Sequence, residues 1–285
     1  MSDFSFIQLA DPQFGLFAAC SGKTDAEVAA LAERGLILRK AKKFEGFAPE
    51  TVLFTEAIER ANWIKPAFVV VCGDMINEAD NDEQVSEVKR IAALLDDSID
   101  LHWVPGNHDI SEDHNTPEQY LIDIYRKNFG PDYYAFSHGD VRFLVINSTV
   151  LTSPETVTEE AKAQLAFVEY EAINASKQSA KRIILFSHHP LFVKSGNEPD
   201  NPWSIKKKYR KPLLEIAADH GIEANFAGHW HRNNYASENG IEVVTSGPVG
   251  YPFGDDPSGF RVVNVTDANI DHKYYSLEEN DQQTG

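Results

Sequence analysis

The sequence predicts an α/β fold, a four-layer αββα sandwich in which helices flank two mixed β-sheets. Three observations support this fold class. Short apolar runs rich in β-branched and aromatic residues recur along the 285 residues, as is typical of buried strands. Segments with helical periodicity lie between several of these runs, and such alternation indicates parallel strands covered by helices. The last third of the chain is mostly strand-like, which favours added antiparallel strands and a second packed sheet.

The predicted strands are the apolar runs themselves. In chain order they are Phe4–Leu9, Ala67–Cys72, Leu101–Val104, Val141–Asn147, Arg182–Phe186, Ala224–Phe226, Ile241–Thr245 and Phe260–Val265. Helices are predicted where apolar residues recur at helical spacing. In chain order they are Glu50–Trp63, Asp82–Leu95, Thr116–Phe129, Thr158–Ser176 and Pro212–His220.

A single domain spanning residues 1–275 is predicted, because this length is routine for one layered α/β domain. Two stretches between the predicted elements look like insertions. The first insertion is residues 16–49, and the second insertion is residues 194–210, which holds Trp203 and a basic run. The last ten residues, Ser276–Gly285, are acidic and glutamine-rich, so we expect a flexible tail there.

Charge and cysteine content exclude some classes of binding partner and indicate a cellular compartment. Lysine and arginine total 26 against 44 acidic residues, a net charge of −18 at pH 7 that repels nucleic acid and anionic membranes. Only Cys20 and Cys72 are present, which excludes a disulfide framework in practice. The N-terminal stretch does not read as a secretion signal, and the apolar runs are too short to span a bilayer. We therefore expect a soluble, cytoplasmic monomer that binds neither nucleic acid nor membranes.

Five strand-like runs each end in a turn that carries metal-binding side chains. The turns are Asp11-Pro-Gln13, Gly73-Asp74, Gly106-Asn107-His108-Asp109, Ser187-His188-His189-Pro190 and Gly228-His229-Trp230-His231. Strands of one parallel sheet present their carboxyl ends on the same edge, so these side chains are expected to converge on one cleft. A donor set of carboxylates, amides and imidazoles without thiolate suits manganese, iron or zinc.

These donors are numerous enough for two ions. A carboxylate shared between two cations keeps them about 3.5–4 Å apart, a spacing that clamps the attacking and leaving oxygens of a phosphoryl displacement. Asp74 is predicted to be that bridge. Water bound by both ions is acidified to hydroxide near neutral pH, so no protein nucleophile is required. The chain also lacks the defining motifs of serine hydrolases, P-loop enzymes and zincins.

In this order, the turns resemble the calcineurin-like metallophosphoesterase superfamily, whose blocks are D-x-H, G-D, G-N-H-D/E, H-x-P and G-H-x-H. The stretches ADPQFG, CGD, GNHDI, HPLF and GHWHRN, with RVVNVT and HKYYSLEE near the end, further resemble the subfamily of the complete S transactivated protein. That subfamily is described as a cytosolic serine/threonine protein phosphatase. The resemblance therefore implies the metallo-dependent phosphatase fold and hydrolysis of phosphoserine or phosphothreonine on proteins.

The resemblance also implies a role for each donor. The first ion would be held by Asp11, Gln13, Asp74 and His231, and the second by Asp74, Asn107, His188 and His229. His108 would be a catalytic residue that stabilises or protonates the leaving oxygen, with Asp109 orienting it. Gln13 stands where most of the superfamily has histidine. A neutral amide oxygen is a weaker ligand for a transition metal, so the first ion is expected to bind less tightly.

Four further residues are predicted to contact the substrate. The second insertion carries the dense basic run that includes Lys206, Lys208 and Arg210. It follows a predicted strand end and is therefore expected near the cleft, although a charge run is more often a solvated face. Tyr251 lies in a turn rich in glycine and proline that is predicted to overhang the site.

Two alternatives remain open at this stage. The same site chemistry serves monoesters and diesters, so the first alternative is a metallophosphodiesterase acting on cyclic nucleotides or other small phosphodiesters. The second is a non-catalytic metal-binding module. The departure at Gln13 favours such a module, whereas the retention of Asp74, Asn107 and His108 opposes it.

Overall fold

A computed structural model describes residues 3–178 and 180–278, and these form eleven strands. The strands are β1 (Phe4–Leu9), β2 (Phe68–Cys72), β3 (Asp100–Val104), β4 (Tyr134–His138), β5 (Val141–Val145), β6 (Arg182–Phe186), β7 (Ile222–Ala227), β8 (Asn234–Glu238), β9 (Ile241–Thr245), β10 (Gly259–Val265) and β11 (Ile270–Ser276). The helices are α1 (Leu16–Cys20), α2 (Asp25–Glu33), α3 (Ala48–Ile64), α4 (Asp82–Ala92), α5 (Asn107–Ile110), α6 (Gln119–Phe129), α7 (Ser148–Thr152), α8 (Thr158–Lys177) and α9 (Lys207–His220). Within the described residues, none of these helices is long and apolar enough to cross a bilayer.

The strands form two mixed sheets. One has the order β11-β10-β1-β2-β3, in which β1, β2 and β3 are parallel and β10 and β11 are added antiparallel. The other has the order β4-β5-β6-β7-β9-β8, in which the four central strands are parallel and each edge strand is antiparallel. The predicted fold class, two mixed sheets flanked by helices, is confirmed.

The alternation of side chains along the central strands separates two layers of core. In β1, the Phe6 ring lies between the sheets, 4.9 Å from the ring of Phe68 and 5.5 Å from that of Phe186 on the other sheet. Its neighbour Ile7 belongs instead to the core that includes Phe54 of α3. The central strands are therefore buried on both faces, which explains their nearly continuous apolar sequences.

Parallel pairing brings the donor-bearing turns together. The turn after β1 is joined to the turn after β2 by the Asp11 N–H, which donates to the Gly73 carbonyl at 3.1 Å. The turn after β7 is joined in the same way to the turn after β6, because the Gly228 N–H donates to the His188 carbonyl at 3.0 Å. Both sheets thus present their carboxyl ends at one edge, as the fold requires of a shared site.

The strands that the sequence prediction omitted are β4, β8 and β11. All three are antiparallel strands at a sheet edge. β11 shows the reason, because its side chains alternate between exposed and half-buried and none of them is fully buried. An edge strand of this kind covers little apolar surface, so it lacks the apolar run that marks a central strand.

The predicted starts of the last helix and of the tail also differ from the structure. The last predicted helix was expected to begin at Pro212, but α9 begins at Lys207 and contains that proline. The flexible tail was expected to begin at Ser276, but Ser276 ends β11 and the Leu277 N–H donates to the Ser258 carbonyl at 2.8 Å. Edge pairing thus holds the start of the predicted tail. The rest of it, residues 279–285, lies outside the described residues.

Candidate metal centre

Two groups of carboxylate and imidazole donors meet at the carboxyl edge of the sheets. The ligand atoms lie within 4.8 Å of one another in each group, which are Asp11, Asp74 and His231, and Asp74, His188 and His229. Asp74 belongs to both. Its Oδ1 accepts the backbone N–H of His108 at 2.9 Å, and its Oδ2 lies 3.2 Å from His188 Nε2. This position is the one that a carboxylate shared between two ions requires.

Both predicted amide ligands keep an oxygen available. The Gln13 Nε2 donates to Asn77 Oδ1 at 3.3 Å, and the buried Gln13 Oε1 has no hydrogen-bond partner among the described residues. The Asn107 Nδ2 donates to the His114 carbonyl at 3.0 Å, and its Oδ1 lies 2.9 Å from His188 Nε2. Leaving a buried oxygen unpaired costs free energy, so the orphaned Gln13 Oε1 is the feature that a bound cation would explain.

The histidines of the site share one means of orientation. In each, one ring nitrogen faces a backbone carbonyl, which only accepts, so that nitrogen carries a proton and the other is left for a ligand. The pairs are His188 Nδ1 with Cys72 O at 2.9 Å, His231 Nδ1 with Tyr251 O at 2.5 Å, His229 Nε2 with Pro202 O at 3.0 Å, and His108 Nδ1 with Asn77 O at 2.8 Å. His188, rather than the adjacent His189, belongs to the donor group, since His189 Nδ1 instead lies 3.1 Å from Ser148 Oγ.

The donor turns adopt left-handed backbone that residues other than glycine rarely adopt. Nine non-glycine residues of the described chain have positive φ, and five of them are predicted ligands. These are Asp11 (48°), Gln13 (38°), Asp74 (50°), His229 (69°) and His231 (53°). Such backbone costs on the order of 1–3 kcal/mol at each position and persists where function requires it. The strain is therefore concentrated at the donors.

Two motif glycines are required by the close approach of donors from other turns. A Cβ added at Gly106 would lie 2.1 Å from Asp74 Oδ1, and one added at Gly228 would lie 2.5 Å from Asp11 Oδ2. Neither carboxylate can move away without leaving the site. The glycines therefore allow the turns of neighbouring strands to bring their donors into contact.

Burial and mutual charge set the protonation of the donors. Burial opposes ionisation of Asp74, but the nearby His188 and His108 more than offset it and hold the pKa of Asp74 well below its usual range. Burial likewise opposes protonation of His188, yet the Asp74 charge raises the pKa of His188 to about 9. Burial and His188 lower the pKa of His229 to about 4. Asp74 is thus anionic at neutral pH and favours a positive charge beside it.

His108 lies beside the donors, but its predicted orienting partner is wrong. Its Nδ1 contacts the Asn77 carbonyl, and its ring stacks on that of His114 with centroids 3.9 Å apart. The carboxylate of Asp109 instead accepts the backbone N–H groups of Gly106, Met75 and Ile76 at 2.7, 3.0 and 3.3 Å. Asp109 therefore fastens the turn after β3 to the turn after β2 and does not orient His108.

Two predicted substrate contacts are structural. Arg210 is fully buried, and its guanidinium donates to the carbonyls of Gly196 and Ile205 at 2.8 and 3.0 Å. The buried Tyr251 hydroxyl accepts the Arg39 N–H at 2.7 Å and donates to the Arg39 carbonyl at 2.9 Å. Among the described residues, Tyr251 contributes to the site through its carbonyl, which orients His231. A side chain whose polar atoms are bonded inside the protein is not available to a substrate.

Two cavities open over the donors. The apolar cavity, about 310 Å³, is lined by donors and by side chains of the first insertion, together with Trp203 and Phe253. The polar cavity, about 120 Å³, is lined on the side of the second insertion by residues that include Asn201, Ser204 and Lys206. Asn107, His114 and His229 line both cavities. A phosphoester bound at the donors would therefore meet an apolar surface on one side and a polar surface on the other.

Lys206 and Lys208 differ in their distance from this site. Lys206 lines the polar cavity beside His229, which is compatible with the predicted substrate contact. Lys208 is exposed, its Nζ lies 5.0 Å from the ring centroid of Tyr209, and in the described chain it lines neither cavity. Asn77 and His114 were not predicted from the sequence, because they contribute largely backbone carbonyls and a ring stack, which no motif records.

A family model for calcineurin-like phosphoesterases matches residues 7–233, a span that holds all the predicted metal ligands. The chain belongs to the calcineurin-like phosphoesterase family. Like other calcineurin-like phosphoesterases, it is a metal-dependent hydrolase of phosphoesters. The resemblance inferred from the five turns is thereby confirmed.

Relatives with assigned names cover nearly the whole chain. The chain is 34% identical over 284 residues to the Homo sapiens protein named serine/threonine-protein phosphatase CPPED1, covering 97% of this chain and 84% of that protein. It is 33% identical over 283 residues to the Rattus norvegicus protein of the same name, with coverage of 97% and 85%. The similarity thus includes the second sheet as well as the donor turns.

Solved structures share the fold. A dimetal phosphatase from Danio rerio superposes with a TM-score of 0.62 at 17% identity, covering 96% of this chain and 99% of that chain. A purple acid phosphatase, PPD1, from yellow lupin seeds superposes with a TM-score of 0.65 at 14% identity, with coverage of 96% and 52%. At these identities the likeness shows the fold alone.

Proposed function

We propose that this calcineurin-like phosphoesterase is a serine/threonine protein phosphatase that uses two metal ions. The observation that carries the two-ion proposal is the membership of Asp74 in both donor groups. The substrate class is supported by the CPPED1 relatives, which are named serine/threonine-protein phosphatases and match almost the full chain.

The donors divide into two sets that share one carboxylate. The first set is Asp11, Gln13, Asp74 and His231, and the second is Asp74, Asn107, His188 and His229. When bound, two divalent ions such as manganese, iron or zinc would supply an acidified water as nucleophile and neutralise the charge of the phosphate oxygens. Gln13 fits the first set, since its amide nitrogen is bonded to Asn77 while its oxygen is buried and unpartnered among the described residues.

His108 is the residue that assists the leaving group in this proposal. Its Nδ1 is held by the Asn77 carbonyl, and the ring lines the apolar cavity, so Nε2 is the nitrogen available to a bound ester. In the protonated ring, Nε2–H donates to the oxygen that departs as the serine or threonine hydroxyl. The stack on His114 limits rotation of the ring and keeps that nitrogen in place.

Hydrolysis of matched substrates by manganese-loaded protein tests the proposal. The substrates are a phosphoserine peptide, a phosphothreonine peptide and bis-p-nitrophenyl phosphate, with bound manganese counted on the same sample. We expect higher kcat/KM on the peptides than on the diester and close to two ions per chain. Preference for the diester would assign the enzyme to phosphodiesterases, and no turnover by fully loaded protein would indicate a binding module.

Cytoplasmic location and a monomeric state remain predictions from the sequence.

A further inference from the structure

The apolar cavity has a wall that the proposed chemistry does not use. The first insertion supplies the leucines of this wall, which are Leu16, Leu31, Leu36 and Leu38. Leu16 and Leu38 are nearly buried, whereas Leu31 and Leu36 are half-buried against them. Phe253 belongs to the same small apolar cluster. Apolar side chains therefore extend from the interior of the insertion to the donors.

This wall is fixed in place before any substrate binds. The Gly254 N–H donates to the Ile37 carbonyl at 2.9 Å, and the Arg232 guanidinium donates to the Gly35 carbonyl at 3.0 Å. At the start of the insertion, the buried Glu50 carboxylate accepts the N–H groups of Gly15 and Phe17 at 3.0 and 2.9 Å. A preformed apolar surface binds a ligand without the entropic cost of ordering a loop.

The cavity is too large to be filled by the side chain of a phosphoserine or phosphothreonine. A phosphoserine places a single methylene group between the phosphate and its backbone, and a phosphothreonine adds one methyl group. Neither fills a cavity of about 310 Å³ whose donors already hold the phosphate. A neighbouring side chain of the peptide is within reach, because adjacent residues lie about 3.8 Å apart along the chain.

We infer that the apolar cavity binds a bulky apolar side chain, such as leucine or phenylalanine, next to the phosphorylated serine or threonine. The inference rests on the proposed protein phosphatase function and names the substrates within it. Burying a leucine-sized side chain, against leaving a glutamine there, is worth about tenfold to hundredfold in kcat/KM. The first insertion is then the specificity element of the enzyme.

Paired phosphopeptides measure this preference. One set carries leucine immediately before or immediately after the phosphoserine, and the matched set carries glutamine at the same position. A phosphotyrosine peptide with glutamine on both sides completes the panel. For the manganese-loaded protein, we expect at least one leucine peptide to exceed its glutamine partner by about tenfold or more in kcat/KM.

Two adjacent residues provide a matched pair of variants. Leu36 lines the cavity, whereas Ile37 is 48% exposed and lies outside the lining. Leu36→Asn is expected to reduce the leucine-to-glutamine ratio to near one, and Ile37→Asn to keep the wild-type ratio. Because each ratio is measured within one preparation, partial unfolding of a variant cancels. Leu31→Ala, a milder change in the same wall, should reduce the ratio by a smaller factor.

The outcomes separate the inference from the function on which it rests. Equal rates on leucine and glutamine peptides, or an unchanged ratio in Leu36→Asn, would overturn the inference and leave the phosphatase activity standing. Faster turnover of the phosphotyrosine peptide than of every leucine peptide would assign the wall to the phosphorylated ring and also overturn it. Turnover of the diester alone would refute the protein phosphatase function and the inference together.

Discussion

The two insertions approach the same donors with different chemistry, although Trp203 of the second insertion also lines the apolar cavity. The first insertion presents leucines to the apolar cavity and is held at its edges by hydrogen bonds of its backbone, some to other backbone atoms and some to the Glu50 carboxylate. The second insertion is organised around the nearly buried Glu198, which accepts the N–H groups of Val193 and Lys194 at 2.9 and 2.7 Å. From the sequence alone, both were interruptions between predicted elements.

The second insertion also orients His229, a predicted metal ligand. The Pro202 carbonyl lies 3.0 Å from His229 Nε2. The other ring nitrogen, His229 Nδ1, therefore faces the donors and lies 3.1 Å from His188 Nε2. The buried Arg210 closes this segment by donating to the Gly196 and Ile205 carbonyls. We therefore expect the hydrogen-bonded second insertion to affect ligand geometry and the leucines of the first insertion to affect substrate choice. Changes in the two insertions should therefore affect different measurements.

The largest effect is expected at Asp74, the carboxylate that belongs to both donor groups. Asp74→Asn keeps the shape of the side chain but removes the charge that two cations would share. We expect turnover to be abolished and bound metal to fall well below that of the wild type, measured by elemental analysis and phosphopeptide assay on one sample. Full activity with unchanged metal content would exclude Asp74 as the shared ligand.

The next largest effect is expected at His108, which lies beside the donors but is not among the predicted ligands. His108→Ala should lower kcat by roughly 10²–10⁴ because the leaving oxygen loses its proton donor. Metal content should not change, which distinguishes this variant from Asp74→Asn. If metal is lost together with activity, His108 is a ligand and its assignment as the acid is wrong.

A smaller effect on metal binding is expected in the second insertion. Glu198→Gln puts an amide N–H₂ group against backbone donors, so the loop that carries Pro202 loses its fixed shape. Outer partners of metal ligands typically contribute 10–100-fold to metal affinity, and we expect a loss in this range. The matched control is Glu215→Gln, a change of an exposed residue of α9. Unchanged manganese affinity in Glu198→Gln would remove the second insertion from the metal site.

The same variant makes a prediction about pH. Burial opposes ionisation of Glu198, but the hydrogen bonds from the Val193 and Lys194 N–H groups and from Ser204 more than offset it and lower the pKa below 4.5. A depressed carboxyl pKa stabilises the fold above the unfolded value and loses this contribution as the pH falls through the folded pKa. For metal-free protein, the Tm difference between wild type and Glu198→Gln should thus shrink below about pH 4.5. A constant difference from pH 7 to pH 3 would contradict this account.

The smallest effect is expected at Tyr251, beside the first insertion. Tyr251→Phe removes the hydroxyl that bonds the backbone of Arg39 but keeps the carbonyl that orients His231. We expect a loss of about 1 kcal/mol in the free energy of unfolding, with unchanged metal content. A large drop in kcat/KM for phosphopeptides at unchanged stability would instead support the substrate contact that the sequence suggested.

The central fold and the donors were predictable because their signals are local. Each donor turn follows an apolar run, so both the strand and the side chain that follows it are visible in the sequence. The edge strands β4, β8 and β11 were not predictable because they cover little apolar surface. Asp74 was predicted to be shared because the donors are numerous enough for two ions, and in the structure Asp74 belongs to both donor groups.

Besides the edge strands, the sequence did not predict the contacts of side chains whose partners are backbone atoms. Asp109 bonds three N–H groups, Arg210 bonds carbonyls of its own loop, and His108 leans on the Asn77 carbonyl. A backbone acceptor or donor has no residue type, so no motif reports it. A charged residue that lies close to a site motif in the sequence therefore need not direct its side chain into that site.

The arrangement of metal ions around Asp74 tests the central claim most directly. Crystals of the manganese-loaded protein should show two anomalous peaks about 3.5–4 Å apart, with Asp74 between them. Gln13 Oε1 should contact the peak near Asp11 and His231, and Asn107 the peak near His188 and His229. A single peak, or two peaks that do not share Asp74, would contradict the account of a two-ion phosphatase.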